Sequence, residues 1–589
     1  MKYIINTSLC IRIIALFLLA ACSAPETPPN IILILTDDQG YGDVRIHGNE
    51  YFDTPWMDRL ARNGVRMDRF MVSSVCAPTR ASLLTGRYHF RAGTQWVTRG
   101  LESMHPDETT FAQVFGENGY RTGLFGKWHN GAHYPNTPNG KGFDVFFGFS
   151  EGHTNNYFDT TLEYNGVMVP TSGFLTDVLT DSVLSFIRQN RDRPFFAYVP
   201  YHVPHSPFQV PNRYFEKYTE QGFDAREASV YGMVENVDDN LARILGELET
   251  SGLTENTIVI FMGDNGPNGV RYNAGMRGIK ASVHEGGERV PFFIQWPGKI
   301  HAGQLRSEVA AHIDVLPTLV DLAGISWTSP KELDGRSFAS LLLQDEYEWP
   351  DRMIFSHHSR WDSLEVFPGA VRTPRYRAVL EEGENWQLYD MPADPGQEHN
   401  IAAEQPELLA GLSAHYYSWF HEVTRNLPEH RRIPVGYEAA PVVTLPAPEG
   451  KFSGNVRFYG ESGWANDWFT GWTSTNDRIW WELDVVSEGA YDIYLDYTMP
   501  EEDAGAEIQA SVGTSQVKNI IEIPVDAGFV PSPDRVPRGE VYEKETWGAG
   551  RLGRVHLPAG EQRITLQALD IPGDAAIELK SVRLVRVDG

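Results

Sequence analysis

Cys76 is the residue whose surroundings most directly suggest chemistry. It lies in the segment SSVCAPTRASLLTG, with Pro78 two residues on and Arg80 four residues on, at the predicted start of a helix. Three interpretations are open: a buried structural thiol, a cysteine nucleophile, or the precursor of a modified residue. The other cysteines of the 589-residue chain are Cys10 and Cys22 in the N-terminal segment, so no disulfide to Cys76 is expected.

Two polar pairs directly follow two predicted buried strands. Asp37 and Asp38 come after NIILILT, and Asp264 and Asn265 come after TIVIFMG. Neighbouring carboxylates at a strand end repel each other unless a cation lies between them. A donor set made only of oxygens suits Ca²⁺ or Mg²⁺ rather than zinc. Either pair taken alone has a common alternative interpretation as solvated turn residues.

Lysine and histidine side chains in short loops form a third group. Lys127 and His129 lie in GKWH, His205 in PHSP and Lys280 in GIKASVHEGGERVP. Histidine can transfer protons near neutral pH, and lysine can bind an anion. Each has an ordinary alternative as a surface lysine or a packed turn histidine, and His202 competes with His205 as a proton donor.

The overall charge sets a condition on any anionic substrate. With 50 Lys and Arg against 78 Asp and Glu, the chain carries a formal charge of -28, which argues against nucleic acid as a partner. The same field would repel an anionic ester at long range. A local cluster of basic side chains, or a metal ion, must therefore overcome it.

Several segments resemble the formylglycine-dependent sulfatases of the alkaline phosphatase superfamily. They occur in the order of that family over about residues 30 to 300, and they are LTDDQGYGD, CAPTRASLLTG, GKWH, PHSP, GDNGP and GIKASVHEGGERVP. LYDMPADPGQEHNIA resembles the tail of the same domain. The Cys-x-Pro-x-Arg core with its downstream Leu-Thr-Gly is the most specific of these signals. The resemblance does not extend to the last part of the chain.

The resemblance implies that Cys76 is a precursor. A formylglycine-generating or anaerobic sulfatase-maturing enzyme would read Cys76, Pro78 and Arg80 as a linear peptide and oxidise the cysteine. The hydrated aldehyde would then attack the sulfur of a sulfate ester, and the second hydroxyl would release the bound sulfate.

The same resemblance assigns the surrounding residues. The metal, with Ca²⁺ favoured over Mg²⁺, would be held by Asp37, Asp38, Asp264, Asn265 and the residue formed from Cys76. Arg80 would position the nucleophile, and Lys127 and Lys280 would bind sulfate oxygens. His129 would deprotonate the second hydroxyl, and His205 would protonate the leaving alcohol.

The substrate is expected to be a sulfated polysaccharide or oligosaccharide. His153, Asn155 and Asn156 lie in a polar loop that could line its pocket. Three alternatives remain open: a phosphate or phosphonate monoester hydrolase on the same fold, an inert glycan-binding surface lipoprotein, and a plain cysteine hydrolase.

The fold class is predicted to be α/β. From residue 30 the chain alternates apolar strands with amphipathic helices, which indicates a mainly parallel sheet between helices. The family resemblance implies that this sheet is arranged as in alkaline phosphatase. The catalytic domain is predicted over residues 30–345, a small antiparallel C-terminal subdomain over 346–435, a linker over 436–452 and an all-β sandwich over 453–589. The sandwich resembles carbohydrate-binding modules weakly, with candidate sugar-stacking residues Trp464, Trp468, Trp472, Trp480 and Trp481.

The N-terminal segment predicts export and lipid anchoring. Residues 1–21 combine a basic flank with a short apolar run, which is typical of a signal peptide. The run ends in Leu-Ala-Ala-Cys, which resembles a bacterial lipoprotein processing box with Cys22 as the lipid-modified residue. Residues 22–29 would then tether the enzyme to a membrane of the cell envelope.

Overall fold

The structure, a computed structural model, describes residues 27–359, 363–383, 385–427 and 431–587. The predicted signal peptide and Cys22 lie outside the described residues. No helix in the described part of the chain is both long and apolar enough to cross a membrane.

The helices and strands of residues 27–345 alternate as predicted. The helices are α1 (Pro55–Arg62), α2 (Cys76–Thr85), α3 (His89–Ala92), α4 (Phe111–Glu117), α5 (Leu175–Gln189), α6 (Asn212–Thr219), α7 (Ala225–Thr250), α8 (Glu285–Glu288), α9 (Val315–Leu322) and α10 (Ala339–Leu343). The strands are β1 (Asn30–Thr36), β2 (Val65–Met71), β3 (Arg121–Lys127), β4 (Val145–Phe149), β5 (Thr161–Tyr164), β6 (Val167–Pro170), β7 (Phe195–Pro200), β8 (Thr257–Gly263), β9 (Phe292–Gln295) and β10 (Gln304–Ala311).

Within residues 27–359 these strands form one sheet in the order β10-β2-β9-β8-β1-β7-β3-β4-β5-β6. The centre, from β8 through β1, β7 and β3 to β4, is parallel. The predicted strand VPFFIQW is β9, and it runs antiparallel to both β8 and β2. The predicted mainly parallel sheet is therefore confirmed at its centre.

Strand β1 shows why the sheet is buried on both faces. All seven residues of NIILILT are buried. Ile31, Leu33 and Leu35 pack into the apolar core on one face, and Ile32 and Ile34 pack into the core on the other. A continuous apolar run is what a parallel strand covered by helices on both sides requires.

The second unit is a small antiparallel sheet covered by one helix, as predicted. Its strands, in the order of the sheet, are β11 (Ile354–His357), β12 (Gly369–Arg372), β13 (Tyr376–Leu380) and β14 (Gln387–Asp390). Helix α11 (Pro406–Thr424) packs its apolar side chains into a core shared with the main domain, including Met71 and Phe90.

The last unit consists of two sheets around one apolar core. Its strands are β15 (Ile433–Val435), β16 (Val442–Pro446), β17 (Lys451–Ser453), β18 (Arg457–Phe458), β19 (Phe469–Thr470), β20 (Arg478–Val485), β21 (Gly489–Thr498), β22 (Ala506–Val512), β23 (Ser515–Ile521), β24 (Gly548–Leu557), β25 (Gly560–Asp570) and β26 (Glu578–Arg586). We refer to residues 433–587 as the β-domain.

The predicted linker, residues 436–452, contains strands of this domain. Residues 442–446 pair antiparallel with the final strand β26, and residues 451–453 pair with β20. The prediction of a linker is therefore wrong at these positions. Residues 442–446 form an edge strand that pairs only with β26 in the described part of the chain, and an edge strand tolerates a proline such as Pro446.

Three of the five candidate sugar-stacking tryptophans are core residues. Trp468, Trp472 and Trp481 are fully buried in the β-domain. Trp480 lies on strand β20 beside Arg563, and Trp464 lies in the loop between β18 and β19.

Candidate active site

The two polar pairs meet at the carboxyl edge of the main sheet. Strands β1 and β8 are parallel neighbours, with Thr36 opposite Gly263 as the last aligned pair. Asp37 and Asp264 therefore follow side by side, and the backbone N–H of Asp38 donates to Asp264 Oδ1 at 3.1 Å. Asp38 has a left-handed backbone with φ of 66°, a conformation that costs about 1–3 kcal/mol and concentrates at functional sites.

Both predicted sulfate-binding lysines contact these acids. Lys127 is the last residue of β3, and its Nζ donates to Asp37 Oδ2 at 2.6 Å. Lys280 comes from the loop before α8, and its Nζ lies 2.6 Å from Asp38 Oδ1. The Lys127 side chain is fully buried, whereas that of Lys280 is 18% exposed.

Three buried oxygen atoms of the cluster fit a hard cation. Within the described residues, Asp37 Oδ1, Asp38 Oδ2 and Asn265 Oδ1 have no hydrogen-bond partner. Buried polar atoms are nearly always paired, and carboxylate and amide oxygens are the ligands of Ca²⁺ and Mg²⁺. A carboxylate oxygen from each of Asp37 and Asp264 also lies within 4.8 Å of Cys76 Sγ. The residues present therefore fit a divalent cation beside Cys76.

The buried charges alter one another's ionisation. Burial alone would raise the pKa of Asp37, but Lys127 and His205 outweigh it and hold that pKa well below its ordinary value. Burial and the charge of Asp37 together raise the pKa of Asp264 to about 7. The pKa values of Asp37 and Asp264 are therefore shifted in opposite directions, as expected where carboxylates crowd together.

Cys76 is the first residue of α2 and is only 1% exposed. Burial raises the pKa of its thiol even though Lys127 and Lys280 act to lower it. A thiol held protonated is a weak nucleophile, which argues against a plain cysteine hydrolase. Arg80 lies one turn later on α2, and its guanidinium donates to Asp264 Oδ2 at 2.8 Å.

His129 and His205 each leave one ring nitrogen for chemistry. His129 Nε2 donates to the carbonyl of Val97 at 2.7 Å, so Nδ1 is the remaining nitrogen. His205 Nδ1 donates to the carbonyl of Ser206 at 2.7 Å. His205 Nε2 then lies 3.8 Å from Asp38 Oδ2.

His202, the competing proton donor, has a different environment. It is buried among Phe149, His153 and Tyr157, with ring centroids 5.1 to 5.4 Å away. Its Nε2 lies 3.9 Å from Asp37 Oδ2. His205, and not His202, is among the residues that line the cavity described next.

A cavity of about 450 Å³ lies over this cluster, with walls from two domains. The catalytic domain supplies Val75, Cys76, Trp96, Val97, His205, Ser206, Asn268, Lys280 and Ala281. The β-domain supplies Ser462, Trp464, Gly539 and Glu540. Sequence reasoning missed Trp96 and Glu540, because no local pattern indicates that residue 540 would lie beside residue 76.

The predicted substrate-binding loop lies against the β-domain. Asn155 Nδ2 donates to Glu543 at 3.1 Å, and the carbonyl of His153 accepts from Asn466 at 3.0 Å. Asn156 Oδ1 accepts from Gln209 at 3.3 Å. His153 is buried beside His205, with ring centroids 5.7 Å apart. None of the three belongs to the lining of the cavity over Cys76.

Comparison with known proteins decides the family. A sequence model described as sulfatase matches residues 29–325. The chain belongs to the sulfatase family. A second model, the C-terminal region of N-sulphoglucosamine sulphohydrolase, matches residues 279–419, so the β-domain lies outside both.

Similar proteins agree with this assignment. Human arylsulfatase A is 32% identical over 469 residues, covering 67% of this chain and 89% of its own. The N-acetylgalactosamine-6-sulfatase of Canis lupus familiaris is 30% identical, covering 64% of this chain and 77% of its own. The solved structure of Ps i-CgsB in complex with k-i-k-neocarrahexaose is 29% identical with a TM-score of 0.63, covering 68% of this chain and 95% of that one. This protein is a sulfuric ester hydrolase of the type I sulfatase class.

Proposed function

We propose that this sulfatase removes sulfate from a sulfated saccharide, with formylglycine formed from Cys76 and a divalent cation bound beside it. The observation that carries the proposal is the set of buried, unpartnered oxygens of Asp37, Asp38 and Asn265 next to a buried cysteine at the start of a helix. A cation of the Ca²⁺ type would pair those oxygens.

Formylglycine and the divalent cation would together form the reactive centre. Asp37, Asp38, Asp264 and Asn265 would hold the cation, with Ca²⁺ preferred to Mg²⁺. Hydrated formylglycine would supply a hydroxyl nucleophile, and the cation would polarise the sulfate ester.

The residues around this centre have separable tasks. Lys127 and Lys280 bind sulfate oxygens and offset negative charge that grows in the transition state. Arg80 orients residue 76 from one helical turn away. His205, with Nε2 free at the cavity, donates a proton to the leaving alcohol, and His129 Nδ1 accepts one when sulfate is released.

A saccharide as substrate is supported by two similar proteins. One is named an N-acetylgalactosamine-6-sulfatase, and the other was solved with a bound carrahexaose. The walls of the cavity combine indole rings with polar side chains, which is the composition that sugar rings favour.

Mass spectrometry and a sulfate-release screen test the proposal. Protein co-expressed with a maturing enzyme should carry formylglycine at position 76, release sulfate from sulfated oligosaccharides and 4-nitrophenyl sulfate, and lose activity in Cys76→Ala. Faster turnover of 4-nitrophenyl phosphate or of a phenyl phosphonate would instead support the phosphate or phosphonate hydrolase. Full activity with an alkylatable thiol at residue 76 would contradict the formylglycine mechanism.

The cellular location is a separate part of the proposal. The Leu-Ala-Ala-Cys segment supports a lipid-anchored enzyme of the cell envelope, attached through Cys22. Metabolic labelling with a fatty acid should mark the wild-type protein and not Cys22→Ala, and the variant should leave the membrane fraction. An unlabelled wild-type protein would contradict the anchor.

A further inference from the structure

The β-domain reaches the active site through two loops. Residues 459–468, between β18 and β19, carry Ser462 and Trp464, and residues 522–547, between β23 and β24, carry Glu540. Connections without secondary structure longer than about 12–15 residues are uncommon in compact domains and are often functional. The second loop exceeds that length.

The first loop is bonded to catalytic-domain segments that carry site residues. Thr98 Oγ1 donates to the carbonyl of Gly463 at 3.3 Å. Thr98 directly follows Val97, whose carbonyl accepts a hydrogen bond from His129. Asn466 Nδ2 donates to the carbonyl of His153 at 3.0 Å. These bonds flank Trp464 on both sides in sequence and therefore fix its position.

The second loop is bonded to the segment that carries His205. Ser206 Oγ donates to Glu540, and Gln209 Nε2 donates to Asp534 Oδ1 at 2.7 Å. The backbone N–H of Arg535 donates to the carbonyl of Phe208 at 2.9 Å. Several hydrogen bonds within one short segment make the two domains one binding surface rather than two tethered modules.

Trp464 is part of the wall that the β-domain contributes to the cavity. Its ring packs with the apolar group of Val75, Cys76, Ala77 and Val97. It also lies edge-on to His129, with ring centroids 6.4 Å apart and planes at 88°. The ring is only partly buried, so part of it faces the cavity. Trp96 packs against the same apolar group.

Basic and acidic side chains lie on opposite sides of the cavity. Lys280 and His205 line the catalytic-domain side, whereas Glu540 is a carboxylate from the β-domain side. A sulfate group is attracted towards the lysine and repelled by the glutamate. The β-domain side therefore favours a neutral part of the substrate that carries hydroxyl groups, because the carboxylate of Glu540 can accept hydrogen bonds from them.

From these contacts we infer that the β-domain completes the substrate site, and that Trp464 stacks against the pyranose ring that carries the sulfate ester. The flat C–H face of a pyranose matches an indole face, while the ester group lies towards Lys280 and residue 76. The inference rests on the proposed saccharide sulfatase function. It differs from a carbohydrate-binding module, which would bind glycan away from the catalytic residues.

Steady-state kinetics on the full-length, matured enzyme tests the inference. The probes are monosulfated galactose, glucose and N-acetylhexosamines, each beside the same sugar reduced to its open-chain alditol, which lacks a pyranose face. For the pyranose that is best hydrolysed, Trp464→Ala should raise KM about tenfold or more, equal to about 1.4 kcal/mol, with a smaller effect on kcat. Its effect on the alditol sulfate should stay under about threefold, and Trp464→Phe should restore most of the loss.

Trp327→Ala is the matched control. Trp327 is a half-buried tryptophan of the catalytic domain that lies outside the cavity lining, so its replacement should leave KM unchanged. Thermal unfolding of each variant separates loss of folding from loss of stacking, and a Trp464→Ala protein that unfolds is replaced by Trp464→Leu.

The outcomes separate the two proposals. A wild-type enzyme that releases sulfate from no sulfate ester overturns the proposed function. A wild-type enzyme that hydrolyses 4-nitrophenyl sulfate but no sulfated saccharide overturns the saccharide part of the proposed function, and the inference with it. Equal effects of Trp464→Ala on pyranose and alditol, or an effect no larger than that of Trp327→Ala, overturn the inference alone.

Discussion

Lys280 Nζ lies 2.6 Å from Asp38 Oδ1, so a lysine from a loop neutralises an acid at the end of a strand. Asp38 also accepts from Asn265 Nδ2 at 2.8 Å through the same oxygen, which leaves Oδ2 unpartnered. A lysine that shares a carboxylate with a cation site can hold a sulfate oxygen next to that cation.

Loss of this lysine should slow catalysis strongly. We expect Lys280→Ala to lower kcat on 4-nitrophenyl sulfate by about 10²–10³-fold, the range found when one oxyanion-binding donor is removed. Lys299→Ala, at an exposed lysine of the same domain, should stay near the wild type. A fall in Lys280→Ala confined to KM would show that the lysine binds ground state and transition state alike.

Removal of the proposed divalent cation should destabilise the protein as well as inactivate it. Because Asp37, Asp38 and Asn265 each have an unpartnered buried oxygen, added Ca²⁺ at about 100 times its Kd should stabilise the fold by about 2.7 kcal/mol. A calcium titration followed by thermal unfolding measures the effect after treatment with a chelator.

Two matched variants test whether the effect of calcium depends on Asp38. Asp38→Asn should lose most of the calcium-dependent rise in Tm, whereas Asp321→Asn, at an exposed aspartate, should retain it. A rise in Tm that survives in Asp38→Asn would place the cation elsewhere.

His205 should matter most for substrates with poor leaving groups. Its Nε2 is the free nitrogen at the cavity, and an alcohol of high pKa needs a proton as it leaves, whereas 4-nitrophenolate does not. We expect His205→Ala to lower kcat/KM about 10²–10⁴-fold on a sugar sulfate and far less on 4-nitrophenyl sulfate. Equal losses on both esters would assign His205 to binding instead of proton transfer.

The sequence predicted the main sheet and the polar cluster because local patterns define them. NIILILT and TIVIFMG are apolar runs that must be buried, and parallel strands bring their carboxyl ends to one edge. That rule brings Asp37 and Asp264 to the same edge of the sheet, and they lie side by side because β1 and β8 are neighbours in the structure. The motif around Cys76 then indicated which loops belong to the same site as the polar cluster.

The part of the site built by the β-domain could not be predicted in the same way. Trp468, Trp472 and Trp481 are fully buried in the β-domain, whereas Trp464 makes long-range contacts with Val75 and Val97 of the catalytic domain. Such contacts depend on how two domains dock, and no periodicity in either domain encodes that. The linker prediction was wrong at residues 442–446 for a related reason, because a short edge strand next to prolines has no strong local pattern.

We expect the stability of the folded protein at low pH to depend on Glu285, which lies at the junction between the catalytic domain and the antiparallel subdomain. Its carboxylate accepts from Arg372 and Arg377 at 3.0 Å each, with all three side chains buried. Burial opposes ionisation, but the two arginines lower the pKa of Glu285 to about 2. Because the folded pKa lies below the ordinary value near 4.5, this contribution to stability is fully present above about pH 5 and is lost as the pH falls towards 2.

Urea unfolding at a series of pH values tests this junction. Glu285→Gln should lower the free energy of unfolding at pH 7 by about 3–5 kcal/mol, because two buried arginines lose their charge partner. It should also flatten the decline in stability between pH 5 and pH 2. Glu404→Gln, at an exposed glutamate of the same subdomain, should change neither. An unaltered acid profile in Glu285→Gln would show that other carboxylates govern acid unfolding.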